Sequence, residues 1–186
     1  GTAFHNGLVM ATIYALPVSI FGWVCVEGVV PFFVNDSIAT PLAVEYTSIV
    51  FISLLFSAYS FVFQGFYTGV EKTKIHMTVT IASNLINVYL NAGLIYGTQG
   101  VKDFIYETAP SLMFLSYLWQ WVDFPALGVK GAAISTLIAS VWMATHYALY
   151  LFSKDIRSRF NVFSFSFDMK MMKKQIRLAF PLGIQE

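Results

Sequence analysis

The chain has 186 residues, of which 57% are hydrophobic and only 11% charged, and its net charge is +1. Soluble domains carry about 25% charged residues, so this composition excludes an ordinary water-soluble domain and places the chain in a bilayer. No basic excess calls for a nucleic-acid partner, and Cys25 has no second cysteine with which to form a disulfide.

Crossing a hydrocarbon core of about 30 Å takes roughly 20 helical residues. Four segments have that length: about 7–34, 46–68, 75–97 and 129–153. A further one begins near Ile176 and stops at the end of the chain. The chain begins at Gly1 with no charged leader and reads as an internal piece of a longer protein. The expected fold class is all-α, a polytopic membrane helix bundle.

In the first span Pro17 is the expected kink site, since its ring displaces a backbone hydrogen bond. Glu27 lies nine residues before Asp36, in the outer part of that span, where an interfacial carboxylate is expected. The second span places Tyr46, Ser53, Ser57, Ser60, Gln64 and Thr68 on one helical face. These groups either line a cavity or hold helices together.

The third span is the most informative. Thr80, Asn84, Asn87 and Asn91 fall within roughly 60° of one another at 100° per residue, giving one polar stripe on an otherwise apolar helix. Asparagine in hydrocarbon is costly without a partner. The stripe therefore points to a polar path or cavity inside the protein. At 1.5 Å per residue Asn87 lies about 18 Å from the start of the span, near the bilayer midplane.

Between the third and fourth spans, Ser111 to Trp121 is apolar but too short to cross. It fits an interfacial helix at headgroup level or a packed loop capping the bundle. The fourth span opens LGVKGAAIST, with Gly128, Ala132, Ser135 and Ala139 along one side as a seam for close helix contact, and Thr136 and Ser140 beside it. Beyond it, FSFSF alternates with period two, and Asp168 is placed to cap a basic amphipathic helix, MKMMKKQIR, expected to lie on an anionic leaflet.

Basic residues give the topology. Nine of the eleven lie either in the turn between the second and third spans or after the fourth. Helix alternation puts those two regions on one side, and the positive-inside rule makes that side cytoplasmic.

Metal and enzyme signals are missing from this pattern. His76 and His146 have no ligand-spaced His, Cys, Asp or Glu nearby, and His146 is expected to be bonded within the bundle. No phosphate loop, nucleophile motif or HExxH occurs. A non-enzymatic role without a cofactor is expected.

The run GFYTGVEKTKIHMTVTIASNLINVYLNAGLIYG, then LGVKGAAISTLIAS, then IRLAFPLGIQ after a basic loop, resembles the multidrug and toxic compound extrusion (MATE) family. The resemblance implies spans three to six and the start of span seven, that is, a partial N-terminal lobe over 1–175 and the beginning of the second lobe over 176–186. It implies a multi-pass protein of the bacterial cytoplasmic membrane, monomeric when full length, exporting small organic and often cationic compounds in exchange for Na+ or H+. In members with an N-lobe cation site the fifth span supplies an asparagine and an aspartate and the sixth a threonine. These positions match Asn87, Asn91 and Thr136. Here Asn91 replaces the aspartate, keeping a carbonyl oxygen and losing the titratable charge. Thr80, Asn84, Ser57, Ser60 and Gln64 are then expected to line the cavity. A flippase of lipid-linked saccharides from the same superfamily is the alternative, and the absence of Lys or Arg from the interior of the spans speaks for a cationic or neutral cargo.

Overall fold

The structure, a computed structural model, describes residues 1–160 and 162–184, with side chains through Leu178. Among the described residues four helices are long and apolar enough to cross a membrane: α1 (Thr2–Phe33), α2 (Ala39–Gly69), α3 (Thr73–Thr108) and α4 (Val129–Leu151). A 3-10 segment, Pro110–Trp119, joins α3 to α4, and two further helices follow, α5 (Lys154–Phe160) and α6 (Met169–Ile184). No strand occurs among the described residues.

These four helices overlap the expected spans and differ from them at several ends for local reasons. α2 starts at Ala39 rather than near Tyr46, because Asp36 Oδ1 accepts the amide hydrogens of Ile38 and Ala39 at 2.8 Å each and caps the helix early. Those two bonds hold the Asp36 carboxyl below the usual carboxylate range. The basic helix and the apolar run after it form one helix, so the 175/176 boundary falls inside α6; Gln185 and Glu186 lie outside the described residues.

α3 does not end at Gly97, where the span was expected to stop. It breaks there, with φ 73° and ψ 165°, and resumes to Thr108. The break frees carbonyls that a continuous helix would use internally. Leu127 N–H donates to the Leu94 carbonyl at 2.8 Å, Gly128 N–H to that of Ile95 at 3.2 Å, and Thr98 N–H to that of Phe124 at 3.2 Å. Three backbone bonds thus replace those lost, and they fix the start of α4 against α3. Gly131 completes the junction, since a Cβ there would collide with the Leu94 carbonyl.

Packing order differs from chain order. α1 packs on α2, α2 on α4 and α4 on α3, so α4 lies between its two predecessors and α2 meets α3 only slightly. Ion pairs tie the loops at each end. Lys72, between α2 and α3, meets Asp155 of α5 at 2.5 Å, and Lys130 at the start of α4 meets Glu45 near the start of α2 at 2.6 Å. The first joins the two basic regions that alternation puts on one side; the second joins the opposite ends.

The segment between α3 and α4 is anchored at Trp119, while Leu112, Phe114, Tyr117 and Leu118 stay exposed. Trp119 stacks on Tyr89 at 5.2 Å between centroids and donates its indole N–H to the Tyr89 carbonyl, while Tyr89 donates its hydroxyl to the Leu118 carbonyl. Trp121, by contrast, is 90% exposed.

The break at Gly97 is testable. A backbone in this region is essentially restricted to glycine, and strain of this kind costs about 1–3 kcal/mol. Gly97→Ala and Gly131→Val are expected to lower the melting temperature of the detergent-purified full-length protein. Gly65→Ala, where a Cβ meets nothing, is the control and should leave it unchanged or raised. The Lys72–Asp155 pair gives a pH signature, because Lys72 holds the Asp155 carboxyl below its ordinary value. A depressed folded pKa stabilises above the unfolded value of about 3.9 and ceases to as pH falls through the folded one. The stability difference between wild type and Asp155→Asn should therefore be present at pH 7 and vanish in strong acid, as read by thermal melts across pH.

Candidate functional site

The polar stripe of α3 divides into three environments. Thr80 belongs to a knot near the start of α3, Asn84 is exposed, and Asn87 and Asn91 form a half-buried pair in which Asn91 Nδ2 donates to Asn87 Oδ1 at 2.9 Å. Asn91 Oδ1 is left out of water with no hydrogen-bond partner among the described residues. An unpaired buried acceptor costs on the order of 1–3 kcal/mol, so this oxygen is the part of the stripe most in need of a ligand. Ser19 Oγ and Gln175 Oε1 are similarly unpaired elsewhere.

Thr136 comes to the same height through the α3–α4 junction. The two helices run antiparallel, with Tyr147 beside His76, Ala139 beside Ser83 and Gly131 beside Leu94. Between the last two contacts, Asn87 and Asn91 stand level with Thr136 and Ala132. The Thr136 hydroxyl donates to the Ala132 carbonyl at 3.0 Å, which occupies its proton and leaves its oxygen lone pairs to accept or coordinate. The level therefore offers neutral oxygens and no carboxylate.

The second-span residues are mostly engaged within the protein. Ser60 and Ser53 are buried and donate to the Phe56 and Val50 carbonyls of their own helix. Ser57 reaches Ser140 of α4 at 3.5 Å, and Gln64 is half-buried. Grooves of about 490 and 660 Å³ lie between α1 and α2, the first reaching Phe160 and Gln175, and neither is lined by α3 or α4.

At the end of the bundle that holds the Lys72–Asp155 pair the fold has its densest core, built from Phe4, Phe63, Tyr67, Val79, Tyr147, Leu151, Ile156 and Val162. Tyr67 donates to the Tyr147 carbonyl at 2.8 Å, and the Tyr147 hydroxyl bonds His76 Nδ1 at 2.6 Å with Thr80 beside both. His5 and Asn6, which drew no attention in the sequence, are buried there. His5 Nε2 bonds the Val162 carbonyl at 2.8 Å, and Asn6 exchanges two hydrogen bonds with the backbone of Asp168. These partners lie more than 150 residues apart in the chain, so no local spacing could reveal them. His146, expected to be bonded in the bundle, instead sits between the rings of Trp142 and Tyr150. Glu27 is exposed, and no cluster of three His, Cys, Asp or Glu side chains suited to a metal occurs among the described residues.

Residues 1–92 match the MatE family model, a stretch that takes in α1, α2 and α3 through the asparagine pair. That stretch belongs to the MATE family. With four helices long and apolar enough to span, the chain is integral and multi-pass. No curated protein and no solved structure matches it. Thr136 and α6 lie beyond the matched residues, so their placement rests on the fold.

The knot beside this site is structural and can be separated from transport. Tyr147→Phe removes the hydroxyl that meets His76 Nδ1, and a lost hydrogen bond of this kind costs about 1 kcal/mol. Melting of the full-length protein should shift downward by a few degrees while the affinity for cargo is unchanged.

Proposed function

We propose that this chain is part of a secondary antiporter that exports organic, preferentially cationic, compounds in exchange for Na+ or H+, and that Asn87, Asn91 and Thr136 form its N-lobe cation or substrate site. The observation that carries this reading is the unpaired Asn91 Oδ1, held by its bond to Asn87 at the height of Thr136. Neutral oxygens of this kind coordinate Na+ or orient a polar cargo, and they neither take up nor release a proton near neutral pH.

Charge placement supports a cationic or neutral cargo. Lys130 and Lys74 stand in the first turns of α4 and α3, and Lys130 is paired with Glu45. An anionic lipid-linked cargo would call for cations in the interior of the spans, and these four have none there, Lys102 standing beyond the break at Gly97 in the last turns of α3. In this reading the protein is non-enzymatic, works as a monomer and resides in the bacterial cytoplasmic membrane, with the basic end of the bundle inside.

The proposal predicts that Asn87→Ala and Asn91→Ala in the full-length protein abolish export with normal membrane insertion, measured as dye efflux from cells with quantified protein. Wild-type efflux in both variants would remove these residues from the mechanism. Efflux from proteoliposomes driven by an imposed Na+ or H+ gradient then identifies the coupling ion.

A further inference from the structure

Helix α6 carries a face that the transport site does not use. Lys170, Lys173, Lys174 and Arg177 recur at the i, i+3, i+4, i+7 spacing that places them on one stripe, and all four are exposed. The opposite side holds Met172, Gln175 and Ile176, half-buried, with Gln175 donating to the Ala3 carbonyl of α1. Among the described residues none of the four cations has an ion-pair partner. The nearest carboxylate in sequence, Asp168, accepts the Lys170 and Met171 amide hydrogens instead.

The depth of this helix is fixed by a clasp. Thr2 bonds Ser166, His5 bonds Val162, and Asn6 bonds Asp168, all within the first turns of α1. α1 is a spanning helix, so its end lies at the headgroup region, and the segment clasped to it lies there too. Around the basic stripe the surface is apolar: Phe163, Phe165, Phe167, Met169, Met171 and Leu178 are each between 37% and 70% exposed. Cations on one face with aromatic and aliphatic side chains at its margins are the composition of a segment lying in a membrane interface.

From this we infer that the basic face of α6, together with the flanking phenylalanines, docks on the phosphate headgroups of anionic lipids in the leaflet at the cytoplasmic end. Each Lys or Arg near an anionic surface contributes attraction equivalent to about a fivefold change in occupancy. Four together make the docking strongly dependent on anionic lipid and on salt. Because α6 is clasped to α1, lipid bound here holds the segment that follows α4 in one position relative to the four spans.

The test uses the full-length protein with Cys25→Ser and a single Met171→Cys carrying an environment-sensitive NBD label, reconstituted in vesicles of phosphatidylcholine with 0 to 40% phosphatidylglycerol. The expected result is a blue shift that grows with the anionic fraction and is reversed at about 1 M salt, where screening reaches roughly 3 Å. Replacing the four cations by glutamine, which keeps helix propensity, should abolish the lipid dependence; Lys102→Gln, at the other end of the bundle, should leave it intact. Equal emission in both lipids, or a shift retained in the four-glutamine variant, overturns the proposal. A shift that needs added cytosolic extract overturns it too, in favour of an acidic protein partner.

Discussion

The exchange of backbone hydrogen bonds at Gly97 is the constraint on which the rest of the bundle depends. A helix interrupted at a buried residue must find partners for the groups it releases, because no water reaches them there. Here Leu127 and Gly128 provide the amide hydrogens for Leu94 and Ile95, and Phe124 provides the carbonyl for Thr98. The donors belong to the residues just before α4, so the repair of one helix determines where the next begins. Gly131 then lets α4 approach until a side chain would strike the Leu94 carbonyl. The LG-x-x-GAA opening of this helix thus has a steric explanation: its second glycine stands where any side chain would collide.

Seating α4 against α3 has consequences along its whole length. It sets Thr136 level with the asparagine pair, passes Ala139 beside Ser83, and delivers Tyr147 to His76. It also places α4 between α2 and α3, which lets the Lys130–Glu45 pair close one end and the aromatic core close the other. Surface pairs of this exposure contribute little stability on their own. Their value here is in register, since each links elements that are not neighbours in the chain.

Much of this was legible in the sequence. Length and apolarity located the four spans, and the distribution of Lys and Arg grouped loops that the Lys72–Asp155 pair then joins. The continuation of α3 past Gly97 was not legible, because Lys102, Asp103 and Glu107 make it read as a loop. Periodicity put Thr80, Asn84, Asn87 and Asn91 on one face, but it cannot say how much of that face a neighbour covers. α4 leaves Asn84 exposed and draws Thr80 into a bond with His76. The serines of α2 show the same limit: a hydroxyl that donates to its own helix and one that lines a cavity have identical spacing. Contacts such as His5 with Val162 require the whole fold to be known first.

Within the asparagine pair, the difference between an amide and a carboxylate decides what chemistry is available. An aspartate at position 91 would attract a cation by charge and would change protonation as that cation left. Asn91 instead presents a dipole, oriented by the hydrogen bond that its own Nδ2 makes to Asn87. Its free oxygen is fixed before any ligand arrives, so little rotamer freedom remains to be lost on binding. A carbonyl dipole attracts a cation less strongly than a full charge, and release to the far side is correspondingly easier. On the proposed reading, any net charge that couples transport would come from groups outside this pair, and the pair would contribute direction and coordination.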